Sequence, residues 1–337
     1  MLVPFAIDAE SLTAPDLPWT APAMRACSRN LLDFWRHLGL LVHDGERFDG
    51  SKMQEAVAGL PQNLRSLWQE MLQHYPPIPG GAGWDGTLHP ALSDALRAAL
   101  DVGFVDDTKA FVEFGMTEDQ DEALLPRAEA SAFVVCRLSM AHHASVVKQA
   151  QTLAQQNIQA GESWQTIWRT RFHRLAAAPS PLVKVVTIVD RYALERHVQW
   201  ERHSLSGLER FLRELDKDAP AARSVWLYTA LTPELAKIGR DELTDQLAGI
   251  LGRLTHHRIR WLKLCLIDNK VFGRLMPDRY VRFNCYVWTL GHGLECLEGP
   301  QATRLNLASF KTTGNDLKQL EQELQALVEP VQIQATA

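Results

Sequence analysis

The sequence predicts two α/β domains: a helix-rich acidic one over residues 1–150 and a basic one built on a mixed sheet over residues 151–337. Three observations carry that expectation. The chain has 337 residues, about twice the usual length of one domain. Its 46% apolar and 22% charged content is ordinary for globular proteins and is enough for two cores. Its charge is divided, with 11 Lys and Arg against 20 Asp and Glu before residue 151 and 24 against 20 after it. From Trp164 to Arg282 the balance reaches 21 against 13. A basic lobe on a chain of net charge −5 suits a polyanionic partner, and equally suits attraction between two oppositely charged halves.

In the first half, VPFAID reads as a short buried strand ending at Asp8. A Pro-rich entry (Pro15, Pro18, Pro22) leads to a helix over residues 22–38, where Leu31, Leu32, Phe34, Trp35 and Leu38 make an apolar stripe. Gly39 stops it, Leu40–Val42 reads as a strand, and HDGERFDG as a turn. A second helix runs from Ser51 to Tyr75 with a break near Pro61, and PPIPGGAGWDG is a loop by composition. Helix at Pro90–Leu100, a strand VGFVDD ending in Asp106 and Asp107, and helix again from Thr117 follow. ASAFVVCRL fits a strand or a buried helix, and Ser139–Gln159 a long connecting helix.

In the second half, a helix over Ser163–Ala178 ends at Pro179-Ser180-Pro181. LVKVVTIVD is then a β-branched run typical of a strand buried on both faces. Helix at Leu205–Leu215, strand SVWLYTAL, helix at Pro233–Leu254 and strand RIRWLKLCLID alternate after it. After the turn at Asn269-Lys270 comes KVFGRLM; DRYVRFNCYVWTLG reads as a hairpin, and Asp316–Val328 as a closing helix. The alternation of strand and helix calls for a mixed or parallel sheet with helices on its faces.

Several classes are disfavoured. No apolar stretch approaches the roughly 18–20 residues of a bilayer span, so no membrane partner is expected. MLVPFAIDAESL lacks the basic start of a secretory signal, and the five cysteines (Cys27, Cys136, Cys265, Cys285, Cys296) form no CxxC pair. A reducing compartment, the cytoplasm, is the expectation. No P-loop, dinucleotide fingerprint, nucleophile elbow or HExxH motif occurs.

Two Asp-Arg-Tyr tripeptides stand out. Asp190-Arg191-Tyr192 ends the most apolar strand, and Asp278-Arg279-Tyr280 opens the hairpin. Ligands of open α/β sheets bind at the carboxyl ends of strands, and an Arg fork beside a carboxylate suits a phosphate. The same pairs also serve as structural ion pairs. The segments VVTIVDRYAL and PDRYVRFNCYVWTLGHGLECL, and more loosely LNLASFKT, are similar to the phospholipase D-like domains related to the C-terminal domain of MIT-domain proteins. Such domains are common in bacterial mobile-element and defence genes. The resemblance runs from Lys184 to Lys311 and places Gly291-His292-Gly293 at the family's glycine turn. It implies a phosphate-recognising α/β fold with Asp190, Arg191, Asp278, Arg279 and His292 as its site. The sequence departs from catalytic members in having no HxK(x)4D motif, and Pro277 stands where relatives often carry His before Asp278. His256, His257 and His292 are the remaining imidazoles of that region.

Asp8 in the first half, with Asp106 and Asp107, offers carboxylates at strand ends. These suit Mg2+ or Mn2+ as metal-dependent nucleases use them, or serve as helix caps. VPFAIDAESL resembles the opening strand of PIN-like nucleases. WQTIWRTRFHR interleaves aromatic and basic residues as single-strand binders do, but Trp164, Trp168 and Phe172 also space as a core stripe. The function expected is nucleic-acid recognition, with or without cleavage, in a bacterial defence or mobile-element system. The alternative is a non-catalytic module with a degenerate phosphodiesterase site that assembles with partner proteins.

Overall fold

A computed structural model describes residues 3–13, 18–44, 47–75, 77–79, 111–114, 133–178, 182–200, 204–276, 278–312 and 315–334. The chain divides into two compact units, Leu2–Thr152 and Leu153–Ala337. Both are α/β.

The N-terminal unit holds a five-stranded sheet of β1 (Val3–Ile7), β2 (Gly39–His43), β3 (Ile78–Pro79), β4 (Phe111–Phe114) and β5 (Phe133–Cys136). Every pairing is parallel, in the order β3-β2-β1-β4-β5. The helices are α1 (Ala9–Thr13), α2 (Pro22–His37), α3 (Lys52–Gly59) and α4 (Gln62–His74); α5 (Ser145–Gln155) carries the chain onward. The stripe read on α2 is buried as its spacing requires, and Trp35 packs 5.8 Å from Trp68 of α4. Gly39 is fixed by space: a Cβ there would lie 2.7 Å from the Trp35 backbone. ASAFVVCRL contains strand β5 rather than a helix, and the loop PPIPGG contributes the two residues of β3. The long helix expected from Ser139 begins as a 3-10 turn over Leu138–His143 and ends at Gln155. The strand expected to end at Asp106 and Asp107 lies outside the described residues.

The C-terminal unit holds a seven-stranded mixed sheet in the order β11-β10-β9-β6-β7-β8-β12. Its strands are β6 (Val185–Val189), β7 (Arg223–Leu231), β8 (Ile259–Asp268), β9 (Tyr280–Phe283), β10 (Tyr286–Leu290), β11 (Ala308–Thr312) and β12 (Val331–Gln334). β6, β7 and β8 are parallel; β9, β10, β11 and β12 pair antiparallel to their neighbours. α6 (residues 164–176) has a π turn at Trp168–Phe172, and then come α7 (Ala193–Gln199) and α8 (Gly207–Asp218). The helix expected over Pro233–Leu254 is split into α9 (Pro233–Ala236) and α10 (Arg240–Gly252), because Gly239 turns the backbone to φ +93° between them. KVFGRLM is helical, within α11 (Asn269–Leu275), since the Asp268 side chain accepts the N–H groups of Lys270 and Val271 and starts a helix. α12 is Asn315–Ala326.

Alternation along the strands builds two cores. On one face Val189, Tyr228, Cys265, Tyr280 and Val287 pack with Phe272 of α11 and Leu324 of α12. On the other, Phe172 and Phe211 meet Trp288 and Phe283 edge-on or tilted. α12 is pinned to its face by a buried ion pair, Arg282 with Glu321, at 7% and 5% exposure. Tyr280 donates its hydroxyl hydrogen to the same carboxylate at 3.1 Å, and Arg282 also donates to Thr187 at 2.9 Å. Removing one partner of such a pair strands the other charge in the core. Glu321→Ala is therefore expected to lower unfolding free energy by about 3 kcal/mol. Leucine at both Arg282 and Glu321 should cost less than that single change, as urea denaturation would measure.

Candidate functional site

The C-terminal chain lays β6, β7 and β8 in one direction across the sheet, then returns to place β9 on the far side of β6. Strand order reverses there, and crevices form at such reversals. Val189 pairs with Tyr280, so the two Asp-Arg-Tyr segments meet at one edge of the sheet. Arg279 Nε lies 4.0 Å from Asp190 Oδ1. The Tyr192 ring sits beside both guanidinium groups, 5.5 Å from that of Arg191 and 5.1 Å from that of Arg279.

The two segments divide their work. Asp190 is 3% exposed, and its oxygens accept the N–H groups of Tyr192 at 3.1 Å and Leu294 at 2.8 Å. Burial raises its pKa, while those two hydrogen bonds and the charge of Arg279 oppose the rise. Arg191 directs Nε and Nη2 to Asn269 Oδ1 at 3.0 and 2.8 Å, so that edge of its fork is occupied by protein. Arg279 has the long contact to Asp190 and the Tyr192 ring as its side-chain neighbours and forms no shorter ion pair among the described residues, and Asp278 is exposed with no ion pair among them. The first tripeptide is thus engaged by protein groups, while the second leaves more of its polar atoms open.

The glycine turn completes the support. Gly293 has φ +63°, and a Cβ there would lie 2.0 Å from Asp190 Oδ2, so only glycine lets the turn close on the carboxylate. Asn306, 2% exposed, accepts the His292 N–H at 2.9 Å through its side-chain oxygen. The His292 imidazole is half-buried and makes no hydrogen bond among the described residues. His256 and His257 precede β8 at its amino end, the opposite edge from Asp190. Pro277 lies outside the described residues.

Beside Arg279 opens a cleft of about 490 Å3. Lys311, Thr289, Ser309, Asp278, Gln155, Asn157 and Leu307 are among the residues that line it. Strand alternation explains its floor: Phe310 turns inward against Trp288, leaving Ser309 and Lys311 on the opposite face next to Thr289. Lys311 is exposed and has no ion pair among the described residues. Its contribution went unread in the sequence because the strand that aims it, β11, was not recognised, although LNLASFKT contains it.

Four arginines of this half are internal, as are the acids Asp190, Glu209, Asp216 and Glu321. Arg171, Arg210, Arg223 and Arg282 are at most 7% exposed. Arg171 pairs with Glu162 at 2.7 Å, and Arg223 donates to the carbonyls of Val183 and Ala178 with its pKa pushed down by burial to about 10. Trp168 and Phe172 are buried, so WQTIWRTRFHR is a core segment. Behind the glycine turn, Arg196 pairs with Glu295 at 2.7 Å and Glu298 at 3.2 Å. Burial, with the charges of Glu295 and Asp190, pushes the Glu298 carboxyl up to about 7 against the opposing pull of Arg196.

In the N-terminal unit Asp8 is fully buried at the carboxyl end of β1, and its side chain accepts the Glu10 N–H at 2.9 Å. Asp44, after β2, accepts the N–H groups of Lys52 and Met53 at 2.7 and 3.1 Å. Both carboxylates start helices. Among the described residues no three His, Cys, Asp or Glu side chains gather as a metal site. Asp106 and Asp107, the other carboxylates expected to hold Mg2+ or Mn2+ with Asp8, lie outside the described residues; Asp8 and Asp44 accept backbone N–H groups as helix caps do.

Two outcomes test these assignments. Asp8→Ala should cost about 1–2 kcal/mol and Asp8→Asn, which keeps an accepting oxygen, much less. A metal role would instead make both equally able to abolish any stabilisation by Mg2+, read as the thermal midpoint with and without the ion. Glu298 binds its proton more tightly folded than unfolded, so its contribution to stability falls as pH rises from 4.5 to about 7. Glu298→Gln should flatten that part of the stability–pH curve and leave the variant no less stable at pH above that window.

No protein-family model and no curated protein matches the chain. Among solved structures, that of TrmBL2, an archaeal chromatin protein whose structure is reported to show a novel mode of DNA binding, aligns over 81% of this chain and 82% of that one. The identity is 9% and the TM-score 0.23, a likeness too slight to bear on fold or function. Among the described residues no helix is long and apolar enough to cross a membrane.

Proposed function

We propose that the C-terminal unit recognises nucleic acid by its phosphates, one of which sits in the cleft under Arg279 and Lys311. The observation that carries this reading is the cleft itself. Arg279, held by Asp190 and Tyr192, and Lys311, which has no ion pair among the described residues, line it together with Thr289 and Ser309, whose hydroxyls lie 2.6 Å apart in a hydrogen bond. Charge-assisted hydrogen bonds from such donors are the usual way a phosphate oxygen is held. Kinship with phospholipase D-like domains, and a place in a bacterial defence or mobile-element system, belong to this proposal and rest on the sequence resemblance. Recognition without cleavage is the better form of it. The sequence has no HxK motif, and Asp190, whose oxygens accept backbone N–H groups, acts as a support.

A second reading, assembly with a partner protein, is favoured by an apolar groove of about 360 Å3. Leu231, Leu235, Leu243, Leu266 and Val328 line it at the carboxyl ends of β7 and β8.

Affinity for a labelled oligonucleotide, measured by fluorescence anisotropy across a salt series, separates the two. Phosphate recognition requires a falling log–log line with a slope near −0.9 per duplex contact or about −0.7 per single-strand contact. Arg279→Ala and Lys311→Ala should each make that slope shallower by about one contact. Arg65→Ala should leave it unchanged, and Arg191→Ala should lower stability more than affinity. Undetectable or salt-independent binding at low ionic strength would pass the protein to the second reading.

A further inference from the structure

The cleft carries more chemistry than a phosphate needs. A bare anion site gathers cations and donors and keeps carboxylates away. Here Asp278 lines the same cleft as Arg279 and Lys311, is exposed, and forms no ion pair among the described residues, although a guanidinium follows it in the chain. Arg279 is turned instead toward Asp190 and Tyr192. A free carboxylate beside a phosphate is unfavourable unless the ligand also brings hydrogen-bond donors. The same cleft has an apolar side: Leu307 lines it and is 63% exposed, the largest value among the exposed large apolar residues described. Gln155 and Asn157 also line it, the side-chain oxygen of Asn157 accepting the Ala308 N–H at 3.1 Å.

A phosphate, an apolar flat face and an edge rich in N–H donors are the parts of a nucleotide. We infer that the cleft takes one unpaired nucleotide of a single strand. Its phosphate lies under Arg279 and Lys311, its base lies against Leu307, and the base edge donates to Asp278. This deepens the proposed function and rests on it. A paired base has neither its flat face nor its Watson–Crick edge free, so a duplex offers this cleft only phosphates. Size agrees, since about 490 Å3 lies in the range of small-ligand pockets rather than of a groove that follows a duplex. Guanine is the base the carboxylate prefers. Its N1–H and N2–H point the same way and reach both oxygens of one carboxylate, whereas thymine offers a single N–H and two repelling carbonyls.

The test uses the full chain and labelled strands of equal length: all thymine, thymine with one central guanine, thymine with one central inosine, and a duplex. The guanine strand should bind about tenfold more tightly than the all-thymine strand. Inosine, which lacks the N2 amine, should lose most of that gain, and the duplex should bind more weakly than any single strand. Asp278→Asn should erase the guanine preference while leaving all-thymine binding equal or slightly stronger, because a negative charge beside the phosphate is gone. Equal affinities for the four probes, or a guanine preference that survives Asp278→Asn, would overturn the inference. If those strands still bind with a salt slope that Arg279→Ala reduces, phosphate recognition stands and only the nucleotide assignment falls. If none binds, both fall together.

Discussion

The C-terminal unit depends on one buried carboxylate. Asp190 leaves the end of β6 with its charge out of water, and an uncompensated charge there would be costly. The N–H of Tyr192 compensates it from within its own turn, and the N–H of Leu294 compensates it from a turn more than a hundred residues later. That second bond ties the glycine turn to the sheet. The turn follows β10 directly, and β10 carries β11 at its outer edge, so the floor of the cleft takes its place from the same anchor. Arg279, facing Asp190 across the β6–β9 pairing, is aimed by it as well.

The buried arginines follow a related rule. A guanidinium has five donors and loses less on burial than an ammonium when carbonyls meet its fork. Arg210 and Arg223 cap carbonyls left over at chain turns, Arg171 and Arg282 pair with Glu162 and Glu321, and each holds a helix or a loop against the sheet. Net charge along a sequence counts these residues as surface. Among the described residues these four guanidinium groups are matched inside by the buried carboxylates of Asp190, Glu209, Asp216 and Glu321, so the basic character of the second half lies on its half-buried and exposed cations, Arg279 and Lys311 among them.

The parts of the fold that were legible in the sequence are those with a strong period. VVTIV, SVWLYTAL and RIRWLKLCLID are long and apolar and became the three parallel strands; the α2 stripe and the hairpin at DRYVRFNCYVWTLG also follow their patterns. Short or edge elements were not legible. β11 and β12 alternate too briefly, and β3 is two residues of a Pro-rich stretch held by pairing with β2. Helix α11 escaped because its start depends on the Asp268 cap rather than on the residues inside it. At the site, the meeting of the two tripeptides follows the expectation drawn from their places at the ends of apolar runs together with the family resemblance. The division of labour between Arg191 and Arg279 was not, because it is decided by Asn269, a residue 78 positions from Arg191. Asp8 is the reverse case: its place after a strand suits a metal ligand and a helix cap equally, and the structure adds the N–H of Glu10 donated to its carboxylate.

The place of β6 in the sheet bears on how the unit is made. This strand is buried on both faces and has β9 as one neighbour, with Val186 opposite Phe283. A ribosome delivers β6 long before β9, although β8 is finished only shortly before β9 begins, so in the meantime the most apolar strand has an open edge. Unpaired edges of this kind template intermolecular pairing. The wait also lengthens folding, since contacts between distant segments form late. A polypeptide interrupted before Asp278 would keep that edge permanently, and its fate would be aggregation or capture by a chaperone.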